Sequence, residues 1–331
     1  MKDLKNSPIV SVIVPNYNHG KFLKERLDSI LAQTFTDYEV ILLDDRSTDG
    51  SDQVLLSYSD NPHVSAVILN ETNTGSPFVQ WEKGIKTARG KYIWIAESDD
   101  SAKEEFLETT VALMEKHPDC SLCFSGSHFI DSEGNDVDSL YRYDHWKENG
   151  KAYIYNGYDF LKHRMLRNNS VYNASMVLFR REGCLSDIST AYRKMKYCGD
   201  WYFWIEQIRK GNVIEVQKKL NYFRKHGSNT TEEGFDDCRS IPEITIVKNH
   251  LHNNVICDKI SVLDDRYRIY RGIRKYRLSS EARRQELFRI IKDECGIDYS
   301  DYLMGKVFMP LWRVFIRPMN LKRHRLSGQP A

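Results

Sequence analysis

The chain has 331 residues, 41% of them hydrophobic, with 48 Lys and Arg set against 46 Asp and Glu. That length supports one large domain with an appendage, or two domains, around an ordinary packed core, and a formal charge of +2 gives no general attraction for nucleic acid. Seven cysteines, scattered without a framework, fit a reducing compartment better than a disulfide scaffold.

The opening MKDLKNSPIVSVIV holds no apolar region of signal-peptide length. No later segment approaches the roughly 18 uninterrupted apolar residues of a transmembrane helix, so the expected location is the cytoplasm. VSVIVP (Val10 to Pro15) is a continuous apolar run bounded by turn formers, and Phe22, Leu23, Leu27, Ile30 and Leu31 then recur at helical spacing. YEVILLDD repeats the strand signal, GSDQVLLSYS the helix, VSAVIL the strand, Ser76 to Ala88 the helix, KYIWIAESDD the strand, and Glu104 to His117 the helix. The close pair Cys120 and Cys123 opens a strand-like CSLCFSG and reads as core.

From about Ser127 to Tyr155 the pattern dissolves into polar and aromatic residues, an expected insertion at the edge of the sheet. Periodicity returns with the strand-like ASMVLF (Ala174 to Phe179), the helix-like DWYFWIEQIRKG, and NVIEV and LNYFRKHGS as two further strands. Beyond Thr231 the texture is helical and rich in Arg and Lys. The expected division is therefore an α/β domain over 1–231 and a helical C-terminal extension over 232–331 ending in a basic amphipathic tail.

Strands alternating with helices argue for a mainly parallel sheet covered on both faces. In such sheets ligands gather beyond the carboxyl ends of the strands. The polar stretches PNYNHG, DDRSTDG, NETNTGS and ESDDS stand at those ends. Crowded carboxylates repel unless something positive sits between them, and a metal-bridged diphosphate needs hard oxygen ligands. Asp99 and Asp100 fit that need, while Asp44 and Asp45 are placed to accept from a base or from ribose hydroxyls. The alternative is that each pair caps the helix that follows it.

The runs SVIVPNYNHGKFLKERLDSILAQTFTDYEVILLDDRSTDGS and NTGSPFVQWEKGIKTARGKYIWIAESDD resemble the family 2 glycosyltransferases, inverting enzymes of the GT-A fold that use nucleotide-diphosphate sugars. The resemblance covers Val10 to Ala102 closely, weakens between Ser127 and Tyr172, and resumes at CGDWYFWIEQIRKG and YFRKHGSNTT. It implies a mixed, mainly parallel GT-A (Rossmann-like) sheet, with a nucleotide-binding half over 8–126 and an acceptor half over 127–231. It further implies that Pro15, Tyr17 and Asn18 line the nucleotide site, that Asp45 reads the base, that Asp99 lies near the ribose or the metal, and that Asp100 is a ligand of Mn2+ or Mg2+. Glu97 stands at an acidic position where Asp is commoner and is not counted as a ligand. GDWYFW resembles the later motif whose aspartate is the catalytic base, here Asp200; many relatives have Glu-Asp, where this chain has Gly199 and Asp200. An N-cap on the following helix is the plainer role for Asp200 and is compatible with the first. His226 is a candidate for the metal shell, with Arg224 and Lys225 as phosphate contacts.

The expected reaction is metal-dependent transfer of a sugar, from a UDP-sugar first of all, to a hydroxyl of a saccharide or lipid-linked saccharide in surface polysaccharide assembly. One rival is a sugar-nucleotide pyrophosphorylase, which lacks here its Gly-rich N-terminal loop with Arg and Lys. Another is a receiver-like signalling domain, which ends sooner than this chain. In the tail, Val307, Phe308, Leu311, Trp312, Phe315 and Ile316 form an apolar stripe beside Arg313, Arg317 and the basic run Lys322 to Arg325. Two readings stay open for it: peripheral contact with the inner face of an anionic membrane, or packing on its own domain or on a second subunit in a homo-oligomer.

Overall fold

The computed structural model describes residues 7–137, 148–186, 190–226, 234, 236–255, 258–315 and 323–325. Strands β1 (Val10–Asn16), β2 (Tyr38–Asp44), β3 (Val64–Leu69) and β4 (Tyr92–Ile95) alternate with helices α1 (Gly20–Leu31), α2 (Ser51–Ser57) and α3 (Pro77–Thr87). β1, β2 and β4 are buried along their whole length, which explains their unbroken apolar runs. Successive side chains point to opposite faces. Ile13, Ile41 and Ile93 pack with Phe78 and Trp81 of α3, while Val12, Val40 and Trp94 pack with Leu23 and Leu27 of α1.

The chain continues through β5 (Ser101–Ala102), α4 (Phe106–Lys116), β6 (Cys120–Ile130), β7 (Ala152–Tyr155), α5 (Gly157–Phe160), β8 (Val177–Arg180), α6 (Gly199–Ile208) and β9 (Asn212–Arg224). Four helices follow: α7 (Ile241–Asn254), α8 (Lys259–Lys275), α9 (Glu281–Cys295) and α10 (Tyr299–Phe315), then the short β10 (Arg323–Arg325). The order across the sheet is β10-β7-β9-β6-β8-β4-β1-β2-β3, with β5 paired to β9. β1 to β4, β6 and β9 run one way and β7 and β8 the other, so the sheet is mixed and mostly parallel in direction. β1 has β2 on one side and β4 on the other. The strand order therefore reverses at β1, and ligands of such sheets bind beyond the carboxyl ends of the strands at that point.

Two local expectations change. Ser127 to Ile130, expected as the start of an insertion, complete β6 and pair with β9, and Ala152 to Tyr155 form β7 against the same strand. Their polarity hid them: buried Ser127 accepts from Asn221 Nδ2 at 3.0 Å, so a core strand here accommodates a polar residue. The two strands expected in NVIEV and LNYFRKHGS are one, the 13-residue β9. Helices α8 and α9 share a core of their own, with Ile273, Leu287, Ile291 and Ile297 fully buried. The basic run at the end of the chain contributes β10, which adds to β7. Thr231, Ile316, Arg317 and Lys322 lie outside the described residues.

Candidate active site

The turns after β1 and β2 are fastened together. Asn16 Nδ2 donates to Asp44 Oδ1 at 2.8 Å and to Ser51 Oγ at 2.8 Å, and Ser47 N–H donates to Asp44 Oδ2 at 2.8 Å. Asn18 and Arg46 both sit in the left-handed region, with φ of 56° and 65°. Asn tolerates that conformation and Arg does not favour it, so the turn is held by its contacts. Asn18 N–H donates to Ser47 Oγ at 3.0 Å and its Oδ1 accepts from Thr48 N–H at 2.7 Å. Pro15 is buried and Tyr17 stands exposed at the rim. Asp45 is buried, and its oxygens accept from Asn70 Nδ2, Thr74 N–H and Oγ1, and Gln80 Nε2 at 2.7 to 3.1 Å. Neither aspartate of this pair is the N-cap of α2, which is Gly50.

The acidic segment after β4 divides into three roles. Glu97 accepts from Trp81 Nε1 at 2.9 Å, and burial, with the charges of Asp99 and Asp100, pushes its carboxyl up to about 8. Asp100 is fully walled in. Its Oδ2 accepts from Asn173 Nδ2 at 2.8 Å and Ser175 Oγ at 2.6 Å, and its Oδ1 from Arg224 N–H at 3.0 Å. Burial and the charge of Asp99 push it up to about 6. Burial is the largest influence on Asp99 and acts to raise it, but His226, with Nε2 3.0 Å from Oδ2, together with His19 and a backbone N–H holds the carboxyl below the ordinary aspartate range.

Beneath these acids lies Arg26, fully buried, its guanidinium 4.8 Å over the Trp94 ring. Burial drives its pKa down to about 10, while Asp100, Glu97 and Asp99 act against that shift. A buried cation here offsets part of the repulsion among three carboxylates.

His19, Asp99 and His226 each offer one ligand atom, and the three atoms lie within 4.8 Å of one another. They come from the ends of β1, β4 and β9, which only the sheet brings together. His19 Nδ1 lies 2.8 Å from Ser98 Oγ, and Phe22 sits against both imidazoles. Two imidazoles and a carboxylate are a donor set that can hold a divalent transition metal. Asp100 is not in this group. Arg224 also lies differently from the sequence expectation: its side chain is 1% exposed, and all three guanidinium nitrogens donate, to Asp99 O, Asp131 O and Glu25 Oε2. It stacks on Phe22 at 4.9 Å and braces the acidic turn rather than facing a phosphate.

Asp200 lies in the first turn of α6, where the helix dipole favours an acid. Its Oδ1 accepts from Trp201 N–H at 2.7 Å and its Oδ2 from Asn169 Nδ2 at 2.8 Å. Burial pushes its carboxyl up to about 7 against those bonds. It opens into a cavity of about 340 Å3, walled by Asn169 and Tyr172 on one side and by Lys248 and Tyr276 of the C-terminal helices on the other. The segment 169–175 reaches from Asp200, through Asn169, to Asp100, through Asn173 and Ser175. The sequence pattern marks neither His19 nor Asn169 and Asn173 for the site, and Ala174 to Met176, expected as strand, form a 3-10 turn ahead of β8. A histidine beside a glycine in PNYNHG is a signal only once another His and an Asp are known to face it.

Comparison with known proteins identifies the family and the fold. Residues 11–185, more than half of the chain, match the model of glycosyl transferase family 2. The chain is 27% identical over 237 residues to the glycosyltransferase GlyG of Streptococcus pneumoniae, a match covering 66% of this chain and 77% of GlyG. Its fold is similar to that of TarS of S. aureus solved in complex with UDP, with TM-score 0.60, 17% identity and 97% of each chain covered. It is also similar to the mannosyltransferase PcManGT of Pyrobaculum calidifontis in complex with GDP-Man and Mn2+, with TM-score 0.55, 14% identity, and 94% of this chain and 82% of that one covered. These likenesses set aside the pyrophosphorylase and the receiver-like module, and the chain belongs to glycosyl transferase family 2.

Proposed function

We propose that the chain is a metal-dependent, inverting glycosyltransferase that moves a sugar from a UDP-sugar to a hydroxyl of a saccharide or lipid-linked saccharide. The observation that carries this reading is one segment, residues 169–175, holding both the acid of the α6 start and the acidic turn beside the His19, Asp99 and His226 cluster. TarS with UDP and PcManGT with GDP-Man and Mn2+ support the donor class and the metal.

In this reading Asp99, His226 and His19 hold the cation, and Asp100 and Arg224 hold Asp99 in place. The cation, when bound, neutralises charge on the departing diphosphate. Pro15, Tyr17 and Asn18 form the nucleotide wall. Asp45 fastens the loop around Thr74 behind that wall; its oxygens are already engaged, so we assign it to shaping the base pocket. Asp200 is the general base. Its proton affinity near neutrality suits it to take the acceptor hydroxyl's proton as the acceptor oxygen bonds to the anomeric carbon and the bond to the diphosphate breaks. The acceptor occupies the cavity before Asp200, so the C-terminal helices, which lie beyond the family match, supply one wall of the acceptor site. We place the enzyme in the cytoplasm; the free, buried thiols of the six described cysteines suit a reducing compartment. The surface-polysaccharide setting carries over from the resemblance alone.

The direct test is incubation with a panel of UDP-sugars in Mn2+ or in a chelator, following release of UDP. Slow, metal-dependent hydrolysis of at least one donor is expected. Calorimetry showing that no nucleotide sugar binds in the presence of Mn2+ would overturn the reading.

A further inference from the structure

The inner side of α10 packs on α8. Asp301 and Met309 are buried, and a Cβ at Gly305 would stand 2.5 Å from Tyr267 Cβ, so only glycine admits the close approach of the two helices. The outer side is left uncovered: Leu303, Met304, Val307 and Phe308 are 45%, 44%, 61% and 57% exposed. Their spacing places them on one face, as a continuous strip of large apolar side chains. Singly exposed apolar residues are ordinary, but a strip of this kind marks a contact surface. Of the two readings open in the sequence, packing on the chain's own domain is thus taken up by the opposite side of the helix and leaves this strip unused.

Charge decides what covers it. After Asp301 the sequence has no Asp or Glu, while Lys306, Arg313, Arg317, Lys322, Arg323 and Arg325 follow. Lys306 is exposed on α10 beside Val307. A second copy would offer those cations no acidic residue from its own 302–331. An anionic lipid surface suits both features, the exposed apolar side chains beside Lys306 and the basic composition of the sequence after Asp301. None of the described helices is long and apolar enough to cross a membrane, so the contact is one of lying on the surface. We infer that the outer face of α10 seats the protein on a bilayer carrying anionic lipids. This goes beyond the transferase reading and can fail without it.

The test is flotation of the full chain with vesicles of phosphatidylcholine alone and with vesicles carrying about one-third phosphatidylglycerol. Flotation is expected with the anionic vesicles only, and about 1 M salt should release the protein by screening its charges. The double variant V307E/F308E should float at least about tenfold less, and Lys306→Glu should fall between it and the parent. Circular dichroism and the melting temperature verify folding, with V307S/F308S as the milder substitute. Three results would overturn the inference: no flotation of the parent chain, undiminished flotation of a folded double variant, or equal flotation with neutral vesicles. A dimer in sedimentation equilibrium that the double variant dissociates, without flotation, would assign the face to a second copy instead.

Discussion

Asn169 and Asn173, four residues apart in one segment, each fasten a different carboxylate: Asn169 donates to Asp200 and Asn173 to Asp100, both at 2.8 Å. Four residues span at most about 14 Å even when extended, so the proposed base cannot lie far from the acidic turn that follows β4. In the proposed reaction the segment is the spacer between the base and the acidic turn.

Loss of the Asn169 contact should therefore be felt in the pH dependence of the rate. The amide stabilises the ionised form of Asp200, whose carboxyl burial already holds at about 7. In Asn169→Ala that form loses a hydrogen bond to a charged group, and the midpoint of the rising limb should move upward by roughly one pH unit. A pH profile of donor turnover reads this directly; an unmoved midpoint with a lowered plateau would mean that Asn169 only supports the fold.

Asp200→Asn should abolish transfer, leave donor binding nearly intact, and flatten the dependence of stability on pH between about 4 and 7. The acid binds its proton more tightly folded, at about 7, than unfolded, at about 3.9. Its contribution is therefore least harmful below about pH 4, grows more destabilising as pH rises toward 7, and is constant above. The new NH2 must point at the Trp201 N–H or at Asn169 at every pH, so the linkage is read as a difference: stability of the variant relative to the parent should be higher at pH 8 than near pH 4 by about 1–3 kcal/mol. Thermal unfolding at the two pH values checks the sign.

Much of the fold was legible because local pattern and global position coincide. Val10 to Asn16 reads as a buried strand because both its faces are covered. The site was legible only in part. Asp99 and Asp200 announce themselves by their neighbours in sequence. The partnership of Asp99 with His19 and His226 depends on β1, β4 and β9 ending together, and the order β9-β6-β8-β4-β1 leaves no mark on any short window. Asp100 drew attention for its charge, yet Asn173, Ser175 and the Arg224 amide, all far along the chain, determine that both its oxygens are engaged.

The glycine before the proposed base, where the resemblance leads one to expect an acid, follows from packing. A Cβ on Gly199 would lie 2.3 Å from Phe78 Cε2 and 2.7 Å from Cζ, and Phe78 is itself buried against Trp81. Gly199→Ala should destabilise by about 1–3 kcal/mol and lower turnover, since overpacking here displaces the start of α6. Phe78→Leu in the same chain should recover part of the stability. Urea unfolding of both variants measures it, and a neutral Gly199→Ala would show that the Phe78 ring moves aside freely.

The metal assignment separates two adjacent aspartates. Asp99 shares a cluster with His19 and His226, whereas both oxygens of Asp100 accept donors from the protein. Asp99→Asn should weaken Mn2+ binding, followed by electron paramagnetic resonance in the presence of UDP, by at least about tenfold. Asp100→Asn faces a different conflict: its new NH2 must point at either the Arg224 N–H or the Asn173 and Ser175 donors, at about 1–3 kcal/mol for the group left unsatisfied. Its signature should be a lowered melting temperature with a smaller loss of Mn2+ affinity. The reverse pattern, with Mn2+ lost in Asp100→Asn and kept in Asp99→Asn, would return the ligand role to Asp100 and require the turn after β4 to reorganise when the cation binds.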